Sequence, residues 1–289
     1  MIRIAIVGPG AIGGTIAAWL AQESDHEITL CARSVLDMLR IETPRGIVTA
    51  RPEVLVDPAT ATPADWIIVT TKTYDAAGAA RWIRPMLHAT TRVAILQNGV
   101  EHLDRFAGLV PRAAMVPAVV DIPAERTAPG RVIQRREGTI TVPDDDAGRA
   151  FAALLARTPI AVTTSDRFLT AAWRKLALNS AGAVNALLLK PAAIARDEGI
   201  AEVMRGLAAE CVVVGRAESA DLPDTLPDEV VAAYRAMAPE SINSLHADRA
   251  AGRPMELDAR NGVIVRRGAA HGIATPLNAA VVALLAAAD

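Results

Sequence analysis

The chain has 289 residues, of which 52% are hydrophobic and only 3% aromatic, and 30 basic residues stand against 32 acidic ones for a formal net charge of -2. That length accommodates two domains with real cores, and the near-balance of charge removes any electrostatic case for nucleic acid or an anionic membrane surface, leaving small molecules and other subunits as partners. Cys31 and Cys211 stand too far apart for a zinc ribbon, a CxxC motif or a disulfide framework. No metal site is expected. No apolar run approaches a membrane span and no basic leader precedes a long apolar segment, so a cytoplasmic protein is expected.

The first segment, MIRIAIVGPGAIGG, reads as a strand over residues 2–7 that runs into Gly8, Gly10 and Gly13, with the helix-compatible AIGGTIAAWLAQ behind it. Gly8 permits a tight turn, Gly10 lets the backbone approach a pyrophosphate, and Gly13 lets the helix lie close on the strand. Phosphates would then meet the helix N-terminus at Gly8, Pro9, Gly10, Ala11, Ile12 and Gly13. A second strand over 26–30 completes the βαβ pattern. No carboxylate ends that strand to take the two ribose hydroxyls of NAD; Arg33 stands there beside Ser34, which favours the 2′-phosphate of NADP.

A helix over 35–40 and a short extended piece over 46–56 are expected next. WIIVTTK, 66–72, reads as a buried strand, followed by a helical segment to about residue 87, and RVAILQNG, 92–99, as another strand. In an open parallel sheet ligands lie beyond the carboxyl ends of the strands, which puts Lys72 and Asn98 on the cofactor side. From about residue 113 short strands broken by Pro129, Gly130 and Gly138 suggest antiparallel hairpins that complete the sheet. A helix over 145–156 and a strand over 160–163 close this domain. The acidic run 144–146 reads as a solvated helix N-terminus, since no His or Cys lies near it in sequence.

After residue 165 the pattern is helical: 167–189, 197–219, 227–236, 240–251, 254–270 and 276–287. The first of these carries WRKLALN, where Lys175 and Asn179 are four residues apart on one face among apolar neighbours. A lysine so placed is a candidate proton donor, because hydride delivery to a carbonyl carbon builds negative charge on the oxygen. Pro254 fits the first turn of a helix, with Glu256 two residues in. Ser244 suits a cap or the surface, and Asp248 a solvated helix acid.

Taken together, in order and spacing, these residues resemble the ketopantoate reductase family. The resemblance spans nearly the whole chain: the GxGxxG start, the arginine after the second strand, Lys72, the NG at Asn98, WxKLxxN ending at Asn179, NSxxxD from Asn243 to Asp248, and GRPxELDxxNG ending at Gly262. It implies an α/β N-terminal Rossmann-type dinucleotide-binding domain over 1–165 and an all-α C-terminal domain for substrate binding and dimerisation over 166–289. It further implies NADPH-dependent reduction of a small branched 2-oxo acid, as in pantothenate biosynthesis, by a homodimer. Lys175 would be the general acid; Asn98, Asn179 and Ser244 would hold the oxo acid; Glu256 would line the cleft where nicotinamide and substrate hydroxyl meet; and Lys72 would contact the cofactor. One position departs from the family pattern, which has a second asparagine two turns after the first. Here Ala183 comes back to within about 80° of the lysine's face, and Asn185 lies about 80° off on the other side. Asn185 could supply the missing amide only if the helix bends or the loop after Gly182 reshapes its end. Two rival readings are another β-hydroxyacid or opine-type dehydrogenase, and a regulatory protein that binds NADP without turning it over.

Overall fold

The computed structural model describes residues 1–288, and the chain divides into two compact units, Met1–Phe168 and Leu169–Asp289. The first unit opens with β1 (Ile2–Val7), α1 (Ala11–Leu20), β2 (His26–Cys31), β3 (Leu39–Thr43), β4 (Gly46–Ala50) and β5 (Glu53–Leu55). β6 (Trp66–Val69), α2 (Ala76–Met86), β7 (Arg92–Ile95), the single-turn α3 (His102–Arg105) and β8 (Met115–Pro117) follow. It ends with β9 (Val119–Asp121), β10 (Ala124–Ala128), β11 (Arg131–Gln134), β12 (Thr139–Pro143), α4 (Asp146–Leu155) and β13 (Ala161–Ser165).

Six strands form one sheet in the order β5-β2-β1-β6-β7-β8, every pairing parallel. The chain therefore winds outward in both directions from β1, and the carboxyl ends of β1 and β6 flank the point where the winding reverses. Alternation along the strands explains why they read as continuous apolar runs. Ile4, Ile6, Ile28, Leu30 and Ile68 face one core with Ile16 and Leu20 of α1. Ala5, Val7, Ile67, Val69 and Ile95 face the opposite core with Trp82, Ile83 and Met86 of α2. Both faces are buried, as a parallel sheet requires.

Two expectations for this unit are corrected. The hairpins after residue 113 do not complete the main sheet; only β8 joins it, while the rest build a four-stranded sheet, β10-β11-β3-β4, and a three-stranded one, β13-β12-β9. Nor is 35–40 a helix. Residues 35–38 are irregular and Leu39 begins β3, which pairs with β4 on one edge and β11 on the other. A six-residue helix is too short to hold alone, whereas β3 gains two hydrogen-bonded ladders and buries Leu39 and Ile41 completely.

The second unit is helical throughout: α5 (Phe168–Ala181), which begins at the last residue of the first unit, α6 (Ala183–Leu188), α7 (Glu198–Ala217), α8 (Leu226–Ala236), α9 (Ser244–Ala250), α10 (Val263–Ala270) and α11 (Pro276–Ala287), with a π turn over Asp258–Gly262. Three boundaries differ from the sequence reading. The helix over 167–189 is broken at Gly182, where a Cβ would collide with the Tyr234 hydroxyl. The helix over 240–251 starts at Ser244, because the Asn243 side chain accepts from the His246 N–H and caps it. Pro254 and Glu256 lie outside any helix, which begins at Leu257 and widens at once into the π turn. That wider turn buries Ala259, Arg260, Asn261 and Gly262 in succession. Both cysteines are buried and free.

Two predictions follow from the packing of the first unit. An alanine at Gly13 would overlap the Thr70 hydroxyl and the Gly8 carbonyl oxygen, so Gly13→Ala should destabilise the protein by about 1–3 kcal/mol in urea unfolding; a loss under about 0.5 kcal/mol would show the helix has room to retreat. The second concerns His102. Its side chain is 2% exposed, with Nε2 2.8 Å from the Gln97 carbonyl oxygen. Burial, helped by the Arg105 charge and opposed by main-chain bonds to Gln97 and Ala118, pushes its pKa down to about 4. Its folded pKa lies below its unfolded value, so the unfolded chain takes up the proton first. The stability is complete above about pH 6.5 and is lost as pH falls toward 4, by an amount on the order of 3 kcal/mol. His102→Asn should remove about that much of the acid sensitivity between pH 7 and 4.5, and parallel unfolding curves for the two proteins would refute the assignment.

Candidate active site

The cofactor edge of the first unit is built by three loops at the carboxyl ends of β1, β6 and β7. Thr70 Oγ1 donates to the Gly8 carbonyl at 2.7 Å and lies 3.2 Å from that of Val7, joining the glycine turn to the loop after β6. Gln97, 4% exposed, donates from Nε2 to the Thr71 carbonyl at 3.1 Å and to Thr71 Oγ1 at 3.0 Å. The same amide lies 3.4 Å from the Lys72 carbonyl. Arg105 Nη2 donates to the Asn98 carbonyl at 2.8 Å. Lys72 and Asn98, both half-buried, thus stand on loops tied to one another and, through Thr70, to Gly8, Pro9 and Gly10.

The glycines test whether a dinucleotide fits. Gly8 has φ +90°, and a Cβ there would lie 2.7 Å from Thr71 Cγ2, so the protein's own packing accounts for it, as it does for Gly13. Gly10 is different. A Cβ at Gly10 would find no protein atom closer than 3.9 Å, so close packing within the chain does not require the glycine. Room for a group approaching from outside does. Gly10 is also the N-cap of α1 and no side chain caps that helix, so its first-turn N–H groups, at the positive end of the helix dipole, could receive an anion. Arg33 and Ser34 are exposed on the irregular loop after β2. These residues fit a dinucleotide with a further anionic group near the second strand.

In the second unit the residues singled out by sequence lie on three segments that meet at the end of α5. Lys175 and Asn179 are half-buried on its last turns. The carbonyls behind them are taken up by side chains from elsewhere: Tyr234 donates to Leu178 at 3.1 Å, Arg260 Nη2 to Asn179 at 2.9 Å, Asn261 Nδ2 to Ser180 at 3.1 Å, and Asn243 Nδ2 to Gly182 at 2.8 Å. The segments carrying Ser244, which is exposed, and Glu256, which is 5% exposed, are therefore pinned to the helix that carries Lys175. Asn185 has another task. It is 1% exposed and its Nδ2 donates to the carbonyls of Lys190 and Pro191, both at 3.0 Å, so its amide group locks the loop after α6.

Sequence reasoning assigned no role to Thr70, Gln97, Arg105, Tyr234 or Arg260. Arg260 left the clearest trace: a lone cation between the small and apolar residues of ELDARNGVIV, where an ordinary amphipathic helix would expose it. A cavity of about 530 Å³ lies elsewhere in the first unit, against Trp19 at the far end of α1, Arg45, Arg157 and Ile160. Its two arginines are already neutralised by Glu137, Glu23 and Asp25, and it lies at the opposite end of α1 from the glycine turn.

Two family models cover most of the chain, "Ketopantoate reductase PanE/ApbA" over residues 4–147 and "Ketopantoate reductase PanE/ApbA C terminal" over 167–289. The 2-dehydropantoate 2-reductase of Caulobacter vibrioides is 63% identical over 288 residues, covering 100% of this chain and 99% of its own. Among solved structures, the PanE/ApbA family ketopantoate reductase of Ralstonia eutropha is 34% identical with a TM-score of 0.91, covering 99% of this chain and 98% of its own. The dimeric ketopantoate reductase of Staphylococcus aureus is 25% identical with a TM-score of 0.89 over the same shares. The fold, a parallel sheet wound around a glycine turn followed by a helical unit, matches those solved structures along nearly its whole length, and the chain belongs to the ketopantoate reductase PanE/ApbA family of oxidoreductases.

Proposed function

We propose that the protein reduces 2-dehydropantoate, or a closely similar branched 2-oxo acid, to the 2-hydroxy acid with NADPH as reductant. The observation that supports this most directly is the convergence in the second unit, where Arg260 and Asn261 bond to the carbonyls of Asn179 and Ser180 on the helix bearing Lys175, and Asn243 to that of Gly182 just beyond its end. A protein that merely sensed NADP would not need Lys175, Asn179 and Glu256 on segments bonded to one another. The 63% identity to a 2-dehydropantoate 2-reductase favours the same substrate over those of other hydroxyacid or opine dehydrogenases.

In this reading Gly8, Pro9, Gly10, Ala11, Ile12 and Gly13 hold the pyrophosphate, Arg33 the 2′-phosphate, and Lys72 and Asn98 the nicotinamide half. When bound, the dinucleotide supplies the hydride that adds to the keto carbon. Lys175 stabilises the charge growing on the keto oxygen and protonates it, an electrostatic and general-acid contribution together. Asn98, Asn179 and Ser244 orient the oxo acid, and Glu256 lines the place where the new hydroxyl forms. Asn185 belongs to the loop after α6 instead. By analogy with the dimeric Staphylococcus aureus relative, the active species is a homodimer.

Following NADPH oxidation with 2-dehydropantoate tests the central claim. Wild type should turn over, and Lys175→Ala should lose about 100-fold or more in kcat while its NADPH dissociation constant stays within about threefold. Undiminished turnover in that variant would remove the lysine from the reaction. Arg33→Ala should raise KM for NADPH about tenfold or more and leave KM for NADH nearly unchanged, because only the phosphorylated ribose loses a charged partner. Equal effects on the two dinucleotides would place the phosphate elsewhere.

A further inference from the structure

Among the described residues of the second unit, Arg260 is the one full cation that is removed from water almost entirely, at 1% exposed, and it sits on the π turn four residues after Glu256. Its Nη2 donates to the Asn179 carbonyl at 2.9 Å, while its Nε finds no hydrogen-bond partner among the described residues. The charged and titratable groups acting on it are Tyr234 from α8, Glu256 from its own segment and Asp248 from α9. Glu256 and Asp248 are 5% and 6% exposed. Burial weakens this guanidinium's hold on its proton, and those three groups work against that.

Such a group is costly. An apolar side chain of similar volume would fill the same space without removing a charge from water, and an incompletely bonded buried cation stabilises a fold less than good packing does. What the guanidinium provides that packing cannot is a charged donor on one side chain. It reaches the main chain of Asn179 at 2.9 Å from a position four residues after Glu256. We propose that Arg260 is a positioning residue for the reduction, fixing the main chain of Asn179 relative to the segment that carries Glu256. This rests on the functional reading above, in which Asn179 holds the oxo acid and Glu256 meets the substrate hydroxyl. Arg260 touches neither substrate nor cofactor and acts only through those two residues.

The test compares Arg260→Met, which keeps the bulk, with Arg260→Lys, which keeps the charge and a donor. Arg260→Gln, neutral but able to donate, stands in if the methionine variant does not fold. The neutral variant should show KM for 2-dehydropantoate raised about tenfold and kcat lowered about fivefold, with KM for NADPH within about twofold of wild type. Arg260→Lys should recover oxo-acid KM and kcat to within about threefold of wild type. A purely structural residue would impair the lysine and neutral variants alike, and that result overturns the proposal, as does a neutral variant whose oxo-acid parameters match wild type. Wild-type protein that reduces no 2-oxo acid overturns the functional reading and this proposal with it, whereas active wild type beside an equally active neutral variant overturns this proposal alone.

Discussion

The second unit depends on how the carboxyl end of α5 is satisfied. A helix that ends in water leaves its last carbonyls to solvent, but α5 ends at a break whose other side, α6, is itself buried at Ala183, Val184, Asn185 and Ala186. Each carbonyl left without a partner there would cost about 1–3 kcal/mol, and several together would match a large part of a domain's net stability. Side chains from α8, the loop before α9 and the π turn meet that demand at Leu178, Asn179, Ser180 and Gly182. Arg249 does the same for α6, donating to Ala186 at 2.6 Å and Leu187 at 2.7 Å. The residues that satisfy the backbone are thus the neighbours of the residues proposed to do chemistry, and neither set can move without the other.

The first unit reaches rigidity by a different route. Its strands are buried on both faces, so the sheet holds their carboxyl ends in fixed register, and only the loops beyond them remain to be placed. Gln97 and Thr70 place them by side-chain bonds to main-chain oxygens, as in the second unit. The contrast between Gly10 and its two neighbouring glycines belongs here too. Gly8 and Gly13 are demanded by the protein's own atoms, whereas the space beside Gly10 is open. A glycine-rich turn kept only for packing would not need that third opening.

What could be read from sequence is what local patterns decide. The parallel strands and the glycine turn follow from where apolar runs start and stop, although β6 and β7 end at Val69 and Ile95 and leave Lys72 and Asn98 three residues beyond them, on loops. What could not be read is set by partners far along the chain. Residues 35–40 look helical until β11, ninety residues later, is available to pair with β3. The helix over 167–189 looks continuous because nothing nearby announces that the Tyr234 hydroxyl occupies the space over Gly182. Glu256 reads as a first-turn glutamate because Pro254 suits a helix start; the π turn that delays the helix instead buries Arg260 and Asn261, whose partners are carbonyls of α5.

The same break shapes the position at which the resemblance implied a second asparagine. Ala183 occupies that position and is fully buried. Beside it, Gly182 makes room for the Tyr234 hydroxyl and the Asn243 amide, so the space is already filled by groups that bond the main chain. An amide at residue 183 would have to find partners in that closed interior rather than reach outward, and burying one without partners costs several kcal/mol. Asn185 is 1% exposed, and its amide nitrogen is committed to the loop at Lys190 and Pro191. In the proposed reading, the amide recognition of the oxo acid therefore falls to Asn98 and Asn179, and the main-chain position of Asn179 matters correspondingly more.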